Sequence, residues 1–174
     1  SDSPLIAMPA AIDLHVHFRQ PGNEAAETVA TGLAAAAAGG FGTVVAMPNT
    51  SPALDSPAAL SQQNAFAADA SEKRVRYLLS ACCTQARSGR SVAPLEALAE
   101  AGCVAFTDDG AMVADDAVMA EVMRRAAALH LPVMDHAVVP SLAGKGVIRE
   151  GKGVQPDNAA IFPDVAEVAA VARD

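Results

Sequence analysis

Short apolar runs alternate with amphipathic stretches along most of the chain. Ala11, Ile12, Leu14, Val16 and Phe18 mark a strand over residues 11–18 that is apolar on both faces, as in a parallel sheet covered by helices. Strands of the same kind are expected over 42–47, 75–82, 103–106 and 132–135. Between them the pattern changes to helical spacing, predicting helices over 27–38, 57–70, 92–101 and 117–129, with a last one over 163–173. Punctuation supports these bounds. Gly39-Gly40 and Gly102 stop two of the helices, and Ser56-Pro57 supplies an N-cap followed by proline at the first helical position. Residues 144–153, rich in Gly and Lys, read as a loop.

Five consecutive βα units imply a parallel α/β fold, either a doubly wound sheet or a (β/α) barrel. No glycine-rich phosphate loop follows a strand, which disfavours a nucleotide-binding doubly wound sheet. The polar residues also favour a barrel. His15, His17 and Arg19 end the first strand, Asn49 the second, Asp109 the fourth and His136 the fifth. In a barrel those ends share one rim, the rim that carries catalysis.

His15 and His17 are two residues apart in a strand, so they project together and can grip one divalent metal. Arg19 follows on the same face and places a cation beside that metal, suiting an anionic, carboxylate-bearing substrate. Taken singly, each feature has a plainer reading. A His-x-His pair also suits a solvated face, Asp108-Asp109-Gly110 suits a turn, and Met47-Pro48-Asn49-Thr50 suits a capped turn. On successive strand ends they make a zinc site with room for an exogenous ligand, where a metal lowers the pKa of water. Arg19 and Asn49 are then placed to orient a carboxylate, and amide hydrolysis or its reversal is the fitting chemistry. His130, before Leu131-Pro132, reads as structural, and the methionines at 112, 119, 123 and 134 as packing residues.

Composition narrows the function further. The 174 residues suit one domain, and 12 Lys and Arg against 20 Asp and Glu give a formal charge of −8. That balance argues against nucleic acid or an anionic membrane as the main partner. Cys82, Cys83 and Cys103 sit at the ends of apolar runs and read as core thiols rather than a disulfide framework. Ser1-Asp2-Ser3-Pro4 has no basic leader character and no apolar run reaches membrane-spanning length, so a cytoplasmic setting is expected.

Four motifs in order carry a resemblance. His15-Val16-His17-Phe18-Arg19-Gln20-Pro21-Gly22, Ala37-Ala38-Gly39-Gly40-Phe41-Gly42-Thr43-Val44, Met47-Pro48-Asn49-Thr50 and Phe106-Thr107-Asp108-Asp109-Gly110 resemble the dihydroorotase family of the amidohydrolase superfamily. The match is to the bacterial class with an aspartate at the end of the fourth strand. Related hydantoinases and allantoinases usually carry a carboxylated lysine where this chain has Thr-Asp-Asp-Gly. The resemblance implies a hydrolase that reversibly cyclises N-carbamoyl-L-aspartate to L-dihydroorotate in pyrimidine synthesis, using one or two zinc ions. It implies His15 and His17 as ligands of the first zinc, Asp109 as a ligand or bridge, and His136 on the second zinc. Arg19 and Asn49 are implied to hold the substrate carboxylate.

Two departures accompany the match. The family usually has Glu two residues after the fifth-strand histidine, whereas Val138 stands here. The family also takes a further histidine from its sixth strand and a general acid/base aspartate from its eighth, which places the catalytic residue outside this chain. Residues 1–174 are therefore expected to form the N-terminal portion of a (β/α)8 TIM-type barrel, about five parallel βα units, inactive alone. A complementary C-terminal fragment or self-association is expected to cover the open edge. The alternatives are hydantoinase-like or allantoinase-like specificity, or a non-catalytic partner of aspartate carbamoyltransferase.

Overall fold

The computed structural model describes residues 7–72, 74–149 and 159–174. Its main sheet has four parallel strands in sequential order: β1 (Ala11–Val16), β2 (Phe41–Ala46), β3 (Arg76–Ala81) and β4 (Ala105–Phe106). A helix makes each crossover: α1 (Val29–Ala38), α2 (Pro57–Asp69) and α3 (Leu95–Glu100). This order never reverses, as it must in a doubly wound sheet, and so follows the winding of a barrel. After α4 (Asp116–Ala128), Val133 continues the sheet as a single parallel bridge to Phe106. Phe106 N donates to Pro132 O at 3.0 Å and Met134 N to Phe106 O at 2.8 Å. The fifth strand expected over 132–135 is thus reduced to one rung, because β4 offers only two residues and Pro132 has no N–H to give.

The described remainder is α5 (Pro140–Ala143), a two-residue parallel pair of β5 (Ile148–Arg149) with β6 (Ile161–Phe162), and α6 (Val165–Arg173). The loop expected over 144–153 therefore contains β5, and residues 150–153 of it lie outside the described residues, as does Ser1-Asp2-Ser3-Pro4. Among the described residues no helix is long and apolar enough to cross a membrane.

Local chemistry sets the helix ends. Thr28 caps α1 through a reciprocal box with Thr31, so the helix opens at Val29 and leaves Glu27 outside. α3 opens at Leu95 rather than 92, because Val92 pairs antiparallel with Thr84 and Ala93 N bonds Cys83 O at 2.9 Å. α4 ends in a Schellman arrangement: His130 N bonds Ala127 O, Leu131 N bonds Ala126 O, and His130 takes φ 56°. His130 is structural, as its position predicts.

One core cluster packs Leu54, Leu60, Leu79, Leu95, Leu98, Phe106 and Val122 between sheet and helices. A second places Phe18, Val29, Leu33 and Val44 under α1. Gly32 permits that contact, since a Cβ there would lie 2.2 Å from the Phe18 ring. Cys82, Cys83 and Cys103 are free and buried, and Met119 is core.

β1 departs from its expected burial on both faces. Ile12 and Leu14 are each 62% exposed. The pairing of β1 with β2 slips between Asp13 and Val16, and Asp13, Val16 and Phe18 together line a cavity with Gly32, Ala35 and Ala36. The slip breaks strict alternation and brings Asp13 onto one face with Val16 and Phe18, while Ile12 and Leu14 present to the other face, which the described residues leave largely uncovered.

Candidate metal centre

Three strand ends bring the site together. β1 delivers His15 and His17, the segment after β2 delivers Asn49, and the segment after β4 delivers Asp109. Asp109 is buried, and its carboxylate is the hub. Its Oδ1 lies 3.2 Å from His15 Nε2, and its Oδ2 lies 3.4 Å from His17 Nε2. His136 Nδ1 is 3.7 Å from Oδ1. The His15 and His17 rings meet edge to face at 5.1 Å.

Asn49 sets the direction of the donors. Its Nδ2 faces Asp109 Oδ2 at 3.4 Å, which turns its Oδ1 toward His17 Nδ1 at 3.0 Å. An amide oxygen only accepts, so Nδ1–H donates to Asn49, and Nε2 is the ring nitrogen turned toward Asp109. An oriented imidazole of this kind is ready to ligate a metal. Zinc at about 2.0–2.1 Å from tetrahedral donors holds neighbouring donors about 3.3 Å apart. Each imidazole–carboxylate spacing, 3.2 Å to Oδ1 and 3.4 Å to Oδ2, is near that value, and one ligand atom from each of the three residues lies within 4.8 Å of the others.

The loop bearing Asp109 is fixed from below. Thr107 N bonds Ala81 O at 2.8 Å, and Asp109 N bonds Thr107 Oγ1 at 3.0 Å. Neighbouring Asp108 turns away from the hub into the protein, where Thr84 N (3.1 Å) and Thr84 Oγ1 bond its carboxylate. Burial pushes the Asp108 carboxyl above the ordinary aspartate range, and the Thr84 bonds offset part of that rise. Asp135, before His136, is pushed up to about 6 by burial and by the Asp174 carboxylate.

Arg19 lines a cavity of about 140 Å³ with Pro21, Gly22, Asn49 and Thr50. No carboxylate pairs with its guanidinium among the described residues, leaving a cation beside the centre. A second cavity of about 240 Å³ lies between Met112, His136, Val138 and Pro140. His15, His17 and Asp109 thus converge, His136 reaches the same carboxylate, and Asn49 ties the group to the Arg19 cavity. Sequence reasoning missed Thr84 and Arg87, whose guanidinium donates to the Asp109 carbonyl. Nothing in the polar run that holds them distinguishes them from an ordinary loop.

The Dihydro-orotase-like family model matches residues 5–169. A dihydroorotase of Bacillus caldolyticus is 40% identical over 169 residues, covering 97% of this chain and 39% of that protein. A dihydroorotase of Geobacillus thermodenitrificans is 42% identical over 167 residues, covering 95% and 38%. Among solved structures, L-hydantoinase from Arthrobacter aurescens superposes with a TM-score of 0.63 at 19% identity, covering 80% of this chain and 34% of that one. Dihydroorotase from Saccharomyces cerevisiae, solved with 5-fluoroorotic acid, gives 0.59 at 13% identity, covering 95% and 43%. The chain spans about 39% of the length of the curated relatives it matches.

Proposed function

Because the chain belongs to the dihydro-orotase-like family, with the architecture of a partial TIM-type barrel, we propose that it carries the metal-binding half of a dihydroorotase site. The reaction is the reversible cyclisation of N-carbamoyl-L-aspartate to L-dihydroorotate, a step of pyrimidine synthesis in the cytoplasm. The observation that carries this reading is the convergence of His15 Nε2 and His17 Nε2 on the Asp109 carboxylate at 3.2 and 3.4 Å, with one ligand atom from each residue within 4.8 Å of the others.

In this reading His15, His17 and Asp109 would hold one zinc, and Asp109 with His136 would help to hold a second ion. A divalent ion there would supply Lewis-acid chemistry for an amide carbonyl and for water. The chain's own residues bind and orient. Arg19, a cation with no acidic partner among the described residues, grips the carboxylate that cyclisation leaves unchanged. Asn49 keeps His17 Nε2 turned toward the hub, and its place in the Arg19 cavity also brings it within reach of substrate.

In hydrolysis the oxygen of a water molecule bonds to the ring carbonyl carbon, the ring C–N bond breaks, and the leaving nitrogen takes a proton that the water gives up. The reading assigns that proton to a residue carried by the remaining βα units of the barrel. The same units are assigned to cover Ile12 and Leu14, and the exposed Val168 and Val171 of α6.

The test is turnover of L-dihydroorotate, hydantoin and allantoin by the zinc-loaded chain, alone and within a longer protein that carries it. The expected result is dihydroorotate hydrolysis in the longer protein, abolished by Asp109→Asn, with little turnover of the other two rings. Preferred turnover of hydantoin or allantoin, or activity indifferent to Asp109→Asn, overturns the assignment.

A further inference from the structure

Arg87 lies outside the donor set, yet its side chain reaches the back of the loop that presents Asp109. It sits in the turn after β3, where Ala86 and Arg87 take φ 51° and 54° in succession. Two consecutive non-glycine residues in the left-handed region persist only where their surroundings over-determine them. Here they do. Ala86 N donates to the Asp55 carboxylate at 2.8 Å, Gln85 N to Ser91 O at 2.8 Å, and Arg87 N to Thr84 O at 3.1 Å.

The turn aims the Arg87 guanidinium under the metal-site loop. Nη2 donates to the Asp109 carbonyl oxygen and lies 3.5 Å from that of Asp108. Gly110 leaves room for it, since a Cβ at that position would meet Nη2 at 3.2 Å. The Arg87 Nε is buried with no hydrogen-bond partner, and no carboxylate forms an ion pair with the guanidinium among the described residues. Its cation is therefore spent on backbone carbonyls. With Thr84 holding the Asp108 side chain, the end of β3 grips the β4 loop at two points, one on either side of the peptide that leads into Asp109.

We propose that Arg87 is a positioning residue for the metal centre: by fixing the Asp109 carbonyl it holds the Asp109 carboxylate in register with His15 and His17. The inference rests on the metal-centre reading above. Groups that orient a ligand from behind change metal affinity by about 10–100-fold when removed. Arg87→Met keeps the length of the side chain and removes its donors, whereas Arg87→Lys keeps a cation without the planar fork. Arg90, exposed in the same loop, serves as the control position.

The experiment measures zinc affinity by competition with a chromophoric chelator, the visible spectrum of the cobalt-substituted protein, and the urea midpoint of the metal-free protein. Arg87→Met is expected to weaken zinc binding about 10–100-fold and to alter the cobalt spectrum. Arg87→Lys should recover part of the affinity, and Arg90→Met should match the parent. If Arg87→Met does not fold, Arg87→Lys is judged against the parent on the same two readouts. Affinity and spectrum within about threefold of the parent, with Asp109→Asn losing zinc, overturn the role of Arg87 alone. A parent that binds no zinc overturns the metal-centre reading together with it.

Discussion

Replacing Thr84 by valine removes one hydroxyl and leaves the shape of the side chain nearly unchanged. Thr84 is 0% and Asp108 3% exposed, so no solvent stands ready to take over the lost bonds. The hydroxyl donates to Asp108 Oδ2 and accepts from Gly89 N at 2.9 Å. A hydrogen bond to a buried charge contributes about 1.5–3 kcal/mol and a neutral one about 1 kcal/mol, so the expected loss is about 3 kcal/mol. For a chain of this size that lowers the unfolding midpoint by about 6–12 °C.

The loss also carries a pH signature. Burial already raises the Asp108 carboxyl, and the Thr84 hydroxyl pulls it down; without the hydroxyl it rises further. A raised carboxyl favours the folded state when protonated, and that advantage disappears as pH rises through the folded value. The Thr84→Val deficit is therefore full at pH 8 and shrinks in acid. Urea unfolding of the metal-free protein at pH 5 and pH 8, followed by circular dichroism, measures both effects. Thr84→Ser, which keeps the hydroxyl, should lose only about 1 kcal/mol for its missing methyl. A Thr84→Val deficit below about 1 kcal/mol at pH 8, or one that grows as the pH falls, refutes the reasoning.

Two further substitutions test the site and its support. Asn49→Ala removes the acceptor for His17 Nδ1–H and should weaken zinc binding at least about tenfold by chelator competition; unchanged affinity with a raised KM for dihydroorotate would assign Asn49 to substrate alone. Gly32→Ala gains about 1 kcal/mol of helix propensity, but its Cβ would lie 2.2–2.4 Å from two Phe18 ring carbons. The clash should win and give a net cost of about 1–3 kcal/mol in thermal unfolding, and a more stable variant would contradict the packing described for α1.

The convergence of His15, His17, Asp109 and His136 was legible in the sequence because each lies at or just after an apolar run, and parallel strands carry their ends to one rim. The exposed face of β1 was not. A slip between Asp13 and Val16 leaves no mark in a run where Ile12, Leu14 and Val16 keep their spacing. Proline at 132 weakened the fifth strand to a single rung, a local effect visible in the residue but outweighed by its apolar neighbours. Arg87 and Thr84 were beyond reach for a different reason. Their roles depend on a turn held by Asp55 and Ser91 and on a partner loop 24 residues ahead of Thr84, and neither contact has a periodic trace. Asn49 was legible as a site residue, while its hold on His17 and Asp109 appeared only with the side chains in place.

The central claim is that His15, His17 and Asp109 form a metal centre. An equilibrium zinc titration of the metal-free protein, run in parallel with Asp109→Asn and with a His15→Asn, His17→Asn double variant, tests it most directly. Saturable binding of at least one ion per chain, lost in both variants while their folds persist by circular dichroism, is the predicted result. Absence of binding, or binding that survives the loss of the Asp109 carboxylate and of both imidazoles, would contradict the account.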